Sequence, residues 1–438
     1  MLLDALSGGL TLLSGGLLGM TAYLDALTVA AAVRSRRSMC PSDAAPRHRF
    51  AVLVPAHNEE LLIGRLLDNL QQLDYPSDLF EICVVADNCT DRTAELARAA
   101  GATVYERVDP TQRAKGYALR WLLEQLSSDA SPHSAASRSS EPSPSSAASR
   151  SSDALPSYGP SPRVDAFVVL DADSVVSRNF LRSMDARLAS GAQVIQAHYS
   201  VLNADEGSVA GLRSAALAAV HYLRPLGRAA LGLSCGLKGN GMCFAAEILE
   251  RFAWSWFTLA EDVEFHLALV SQGVRVDFAP EASVLADMPL TLEQAASQND
   301  RWERGRLQLV KHYLPRLVLD SLRHRSPLRF DAAVEQLIPP LSIPFALSCV
   351  MLVAALALAL AGHGGTLPLA LAACSLVGQV AYLLAALALV RAPRSRYVSL
   401  GKAPIYIAWK VSLYARALLP TRGSEWVRTS RAPTTAAR

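Results

Sequence analysis

The sequence has no C-x-x-C pair, and its seven cysteines (Cys40, Cys83, Cys89, Cys235, Cys243, Cys349 and Cys374) are odd in number. That argues against a disulfide framework and against a zinc site built on paired cysteines. It places the soluble part in a reducing compartment. An excess of one charge is missing too. Lys and Arg total 42, Asp and Glu total 39, and the net charge is only +3. The basic residues form no long tract, so nothing points to nucleic acid as a partner.

Apolar residues are abundant, at 51% of the 438 residues. A chain of this length exceeds one compact core and implies two or three structural units. Three stretches reach the roughly 20 apolar residues that a bilayer-crossing helix takes. They are 5–33, which carries one charge, Asp25, and 337–361 and 366–390, which carry none. A secretory signal peptide is the competing reading of the first. Its apolar part is long for that, and basic residues follow rather than precede it. Asp25 admits a functional reading, or a place near a helix end or against a neighbouring helix.

Arg34, Arg36 and Arg37 follow the first span, Arg323, Arg325 and Arg329 precede the second, and Arg391, Arg394 and Arg396 follow the third. All three clusters are cytosolic if the N-terminus is outside and the spans alternate. The expected protein is therefore multi-pass in the inner (plasma) membrane. Residues 1–35 form an N-terminal anchor, 48–330 a cytosolic domain, and 334–392 two further spans. His363, Gly364 and Gly365 then make an external turn. Residues 403–438 form an interfacial helix and a tail, since Lys410 and Arg416 interrupt the apolar stretch there.

Within the middle region, strands are expected at 50–54, 81–86, 103–106 and 167–170. Helices are expected at 59–73, 90–100 and 116–126. This alternation predicts an α/β fold with a mostly parallel sheet. In such a sheet the polar residues beyond the strand ends are the ones to examine. The segment 127–163 does not fit the pattern. It is rich in Ser, Ala and Pro and repeats itself, SPHSAASRSSE at 131–141 and SPSSAASRSSD at 143–153. It is read as a disordered insertion.

Several polar groups follow the strands. Asp171-Ala172-Asp173 offers two carboxylates able to hold a hard divalent cation and a diphosphate. Asp87 suits a base or ribose, or serves a helix cap with its neighbours. His57-Asn58-Glu59-Glu60 admits the same two readings. Lys115-Gly116 sets a cation beside a flexible residue, which suits a phosphate; the alternative is an exposed loop lysine. Glu261-Asp262 opens a helical run at 263–270, where a carboxylate is stabilised whatever its role. As a functional residue, Asp262 would be a general base toward an acceptor hydroxyl. Gln298, Arg301 and Trp302 share a helix face at i, i+3 and i+4. Arginine suits diphosphate oxygens and tryptophan suits a sugar face.

Taken in order, Pro55-Ala56-His57-Asn58-Glu59-Glu60, Asp87, Asp171-Ala172-Asp173, Glu261-Asp262 and Gln298-Asn299-Asp300-Arg301-Trp302 resemble family 2 glycosyltransferases. The resemblance is to the membrane-bound branch that includes cellulose, hyaluronan and poly-N-acetylglucosamine synthases. It covers about residues 48–312 and the flanking spans. Lys238-Gly239-Asn240-Gly241-Met242 and Trp426-Val427-Arg428-Thr429 also look like elements of that branch.

The resemblance implies a GT-A domain and inversion at the anomeric carbon, with a nucleotide sugar as donor and a glycan or lipid-linked acceptor at the membrane. It implies Mg²⁺ or Mn²⁺ at Asp173, with Asp171 nearby, and Asp262 as the base. Pro55, His57, Glu59, Asp87, Lys115, Asp171 and Arg301 are the candidate donor residues. Gly239, Asn240, Glu261, Gln298, Arg301 and Trp302 are the candidates at the diphosphate and acceptor. Q-x-x-R-W favours polysaccharide or glycan assembly, while the few spans favour transfer of one sugar to a lipid. Many polymerising relatives have more spans, so polymer export would call for partner proteins. The reading from a different class is a nucleotide-sugar-binding membrane subunit without catalysis. The presence of Asp262 and Arg301 argues against it. A nucleotidyltransferase explains neither Q-x-x-R-W nor the spans.

Overall fold

The computed structural model describes residues 2–36, 45–129, 164–258, 260–363 and 366–418. Most of the Ser/Pro/Ala-rich insertion, the Gly364-Gly365 turn and the tail with Trp426–Thr429 lie outside the described residues.

Strand β1 (Phe50–Ala56) is an unbroken apolar run because both of its faces are buried. Ala51 and Leu53 point into one core cluster, and Phe50, Val52 and Val54 into the other. It pairs in parallel with β2 (Phe80–Asp87), which pairs in parallel with β3 (Thr103–Arg107). On its other side it pairs in parallel with β4 (Ala166–Val169). The expected strands are thus all present, each within one or two residues.

Four further strands complete the sheet and were not expected. They are β5 (Ser174–Val176), β6 (Val194–Val201), β7 (Met242–Ala245) and β8 (Val276–Ala286). The strand order is β3-β2-β1-β4-β7-β6-β8-β5. Strand β7 runs antiparallel to both β4 and β6, and β5 runs antiparallel to β8; the other pairs are parallel. The sheet is therefore mixed and mostly parallel.

The first two helices of the middle region are shorter than expected, 63–70 against 59–73 and 93–99 against 90–100, and the third is longer, 115–129 against 116–126. Helix α2 (Ile63–Leu70) starts after the predicted 59, because Asn58 turns the chain at φ 55° and Glu59 O caps Leu62 and Ile63. After α3 (Thr93–Ala99), α4 (Lys115–Asp129) runs past 126 into the predicted insertion. Ser127 and Ser128 remain helical by bonding back to the carbonyls of Leu123 and Glu124.

Helices α5 (Phe180–Ala189) and α6 (Ser208–Leu217) follow β5 and β6, and a π-helical segment at Ala218–Leu223 joins α6 to α7 (Arg224–Ala230). Short α8 (Ala246–Arg251) precedes α9 (Glu261–Ser271). Beyond the sheet run α10 (Leu292–Arg323) and α11 (Pro327–Leu337). Among the described residues, three helices are long and apolar enough to cross a membrane. They are α1 (Leu2–Ser35), α12 (Ser342–Leu360) and α13 (Thr366–Leu389). The second starts later than the predicted 337, since Pro339 and Pro340 lack the N–H groups that a helix there needs. Helices α14 (Arg394–Ser399) and α15 (Ala403–Ala417) close the described chain.

The apolar helices do not stand apart from the sheet. Leu24, Leu27 and Ala31 of α1 and Tyr382, Ala386 and Leu387 of α13 belong to the same core cluster as Leu53, Val85 and Val169. Gly227 of α7 lets the α1 backbone approach, because a Cβ there would meet Leu27 O. Between the spans, Gln379 Nε2 donates to the hydroxyls of Thr21, Ser348 and Ser375 at 3.3, 3.0 and 3.1 Å. Such bonds contribute on the order of 0.6 kcal/mol each in a membrane bundle. Asp25 lies against Gly378 of α13, a neighbouring helix.

Candidate active site

The carboxyl ends of β1, β2 and β4 face one cavity of about 1770 Å³. Pro55, His57, Glu59, Asp87, Lys115, Asp171, Asp173, Gly239, Glu261, Asp262, Gln298, Arg301 and Trp302 all line it. These residues are scattered over more than half of the chain, and the fold gathers them at one place.

On the β1–β3 side, the His57 ring Nδ1 sits 2.7 Å from the Asp87 backbone oxygen and ties the two strand ends together. Asp87 is nearly buried and accepts a bond from Arg107 at 2.6 Å. Arg107, on β3, also pairs with Asp109 at 3.1 Å. It therefore sets the orientation of the Asp87 carboxylate, and sequence reading missed it.

Lys115 opens α4, where the helix dipole disfavours a cation. Its ammonium bonds Asp171 Oδ1 at 2.5 Å and also the Gly239 carbonyl. Burial pulls its pKa down, but Asp171 and Glu261 more than offset this and the net shift is upward. Lys115 thus joins the Asp171-Ala172-Asp173 turn to the glycine loop at 239. It is not the exposed loop lysine of the alternative reading.

Asn240 departs from expectation. It does not line the cavity. It is 1% exposed, its Nδ2 donates to Ser174 Oγ at 2.8 Å, and its Oδ1 accepts the Asp171 N–H at 3.2 Å. Gly241 and Gly239 both adopt positive φ, and this reversal turns the Asn240 side chain into the sheet. Gly239, at φ +75°, brings bare backbone against Asp262: a Cβ there would lie 3.4 Å from Asp262 Oδ2.

Glu261 and Asp262 occupy the first turn of α9. Burial raises the pKa of both. The charge of Asp262 raises Glu261 further, and Lys115 opposes that. For Asp262 the opposing groups are the Val263 N–H, Lys238 and Lys115.

Helix α10 supplies the last group. The Thr291 hydroxyl caps it by accepting the Gln294 N–H at 3.3 Å. Gln298 Oε1 accepts a bond from Arg213 of α6. The same guanidinium lies 5.4 Å from the Trp302 ring centre, a cation–π distance. Arg213 therefore holds two of the three Q-x-x-R-W side chains and was not singled out from sequence. Arg301 makes no hydrogen bond or ion pair among the described residues, and Glu261 and Asp171 are the charges that act on it.

The rear of α10 is anchored from α15. Lys410 pairs with Glu303 at 2.8 Å and donates to Asn299 Oδ1 at 2.6 Å, with all three buried. The expected interfacial lysine is instead an internal tie to the Q-x-x-R-W helix. A charge inside an apolar stretch was the available signal.

Residues 46–305 match the family model described as glycosyltransferase like family 2. The chain belongs to this family. Its mixed, mostly parallel sheet with flanking helices is the GT-A type of catalytic fold that the resemblance implied. A probable glycosyltransferase, YdaM, of Bacillus subtilis is 24% identical over 269 residues, 61% of this chain and 57% of that protein. A beta-monoglucosyldiacylglycerol synthase of Synechocystis is 24% identical over 275 residues, 61% of this chain and 50% of that protein. The chain thus spans about half the length of these curated relatives. Among solved structures, the mannosyltransferase PcManGT of Pyrobaculum calidifontis, in complex with GDP-Man and Mn²⁺, is 20% identical. It matches 84% of this chain and 97% of its own, with a TM-score of 0.45.

Proposed function

We propose that this glycosyltransferase moves a sugar from a nucleotide-sugar donor, a UDP-sugar in the first instance, to a membrane-associated glycan or lipid acceptor with inversion. The observation that carries the reading is that Asp262, Lys115-bound Asp171, Asp173 and Arg301, which has no hydrogen bond or ion pair among the described residues, line one cavity. In the proposed step an acceptor hydroxyl oxygen bonds to the anomeric carbon. The bond from that carbon to the diphosphate oxygen breaks, and the electron pair leaves with the nucleoside diphosphate. Asp262 takes the hydroxyl proton. Arg301 faces the developing diphosphate charge, for which a guanidinium is suited. Asp87, oriented by Arg107, is the proposed partner of the base or ribose. Trp302 offers a stacking face to a sugar.

No three His, Cys, Asp or Glu side chains come together as a metal cage among the described residues. A donor set of one or two carboxylates still fits Mg²⁺ or Mn²⁺, because such ions complete their shells with substrate phosphates and water. Asp173 and Asp171 are the residues proposed to hold it. When bound, it would offset charge on the leaving diphosphate.

The proposed setting is multi-pass in the plasma membrane with the catalytic region cytosolic. The arginines that flank the three apolar helices support it. The test is nucleotide release by the detergent-purified chain with a panel of UDP- and GDP-sugars. One donor is expected to turn over, and a chelator is expected to stop it until Mn²⁺ or Mg²⁺ is restored. Failure of every donor, even with membrane lipids added, would favour the non-catalytic subunit reading.

A pH prediction follows from the site electrostatics. A base works only when deprotonated, and burial raises the Asp262 pKa. The acid limb of kcat/KM is therefore expected above the usual aspartate range. Lys238 holds that pKa down. Lys238→Met is expected to move the acid limb to higher pH. A limb that stays put or moves lower in the pH–rate profile would separate Lys238 from the base.

A further inference from the structure

The cavity is larger than one donor requires. Ligand pockets typically enclose about 300–1,000 Å³, and this one reaches about 1770 Å³. It is also two-sided in chemistry. One end carries Asp262, Arg301 and Asp173. The other is an arm toward α12, α13 and α15 whose lining is mostly apolar, with Phe345 and Cys349 of α12, Val380 and Leu383 of α13, and Ile407 and Val411 of α15; the polar Gln379 and Lys410 on the same wall are bonded to Thr21, Ser348 and Ser375 and to Glu303 and Asn299. Helices α12 and α13 are long and apolar enough to cross a membrane, which would put this part of the lining at bilayer depth. Val380 and Val411 keep 40% and 36% of their surface uncovered by protein.

A sugar polymer moving along this arm would lose hydrogen bonds from its hydroxyls, which is costly for every group left unpaired. A hydrocarbon chain has no such hydrogen bonds to lose, and most of the wall it would meet is apolar. The polar head and apolar arm together have the pattern of an amphiphile whose hydroxyl comes to Asp262.

We propose that the acceptor is a membrane lipid with a hydroxyl head, its hydrocarbon chain lying between α12, α13 and α15. Sugar is then added once to the lipid, and the glycolipid returns sideways to the bilayer. This rests on the glycosyltransferase reading and narrows its acceptor. Of the two acceptor classes left open by the sequence, it selects the lipid over the growing polymer.

The test uses the full chain in nanodiscs and a long-chain alcohol that carries a diazirine in its tail. After irradiation, peptide mapping is expected to find label on the arm residues of α12, α13 and α15. Val380→Trp and, independently, Ile407→Trp are expected to reduce that label about tenfold, with nucleotide binding and melting temperature retained. Label confined to the outer face of α12, at Leu347, Val350 and Val353, would overturn the proposal. So would arm labelling that neither tryptophan changes. If the chain binds no nucleotide sugar, the glycosyltransferase reading fails, while the label positions still decide the arm.

Discussion

Asp262→Asn is expected to lower kcat by about 10²- to 10⁴-fold, the range for removing a general base, while donor affinity changes little. The substitution keeps the shape of the side chain and removes only its ability to take a proton. The neighbours should hold the amide in place. Asp262 lies in the first turn of α9, beside the bare backbone of Gly239. Its environment already suits the task, since burial makes the carboxylate more basic than an exposed one. Glu261, adjacent in sequence, is the alternative base, and the Lys115 charge favours its ionised form. Steady-state rates with the donor identified by the panel, together with a direct binding measurement, make the check. A kcat within a few-fold of wild type would remove Asp262 from the chemistry. A loss of donor binding equal to the loss of rate would assign it to binding instead.

The half of the site on β1 to β4 was legible because each polar group directly follows an apolar run. Asp87 and Asp171 stand at the ends of buried strands, and the alternation of periods two and 3.6 marks those ends. The other half of the sheet was not legible. Strand β7 has four residues and β5 has three, too short to show a period, and both are held by antiparallel partners distant in sequence. The residues that hold the site in place escaped for a related reason. Arg213 meets Gln298 across 85 positions, and Lys410 meets Asn299 across 111. No local pattern encodes such a meeting; only the folded chain does. Asn240 shows the converse limit. Its place in a family motif suggested the acceptor side, but two positive-φ glycines turn it inward to hold Asp171.

Arg228→Met is expected to cost about 3–5 kcal/mol of stability, because it leaves buried carboxylates without their cation. Arg228 is 1% exposed. Its guanidinium lies 3.0 Å from Asp331, bonds Glu335, and donates to the Tyr23 hydroxyl at 2.8 Å. Tyr23 in turn donates to Asp331 at 2.6 Å. Helices α1, α7 and α11 thus meet at one cation, and this junction joins an apolar span to the catalytic region. A second arginine, Arg224, reaches Glu335 only at 3.7 Å and bonds Tyr382 of α13 at 2.8 Å. It cannot satisfy two carboxylates alone. Burial would raise the Glu335 pKa, but Arg228 and Arg224 outweigh it and hold the group well below the usual glutamate range. Its charge therefore stabilises the fold above the ordinary glutamate pKa, and that stability is lost as pH falls toward the depressed value. Thermal unfolding in detergent reads the effect. Adding Glu335→Gln to Arg228→Met should recover part of the loss, since an unpaired buried charge does most of the damage. If the double variant is no more stable than the single one, the junction is held by packing around the arginine stem and not by its charge.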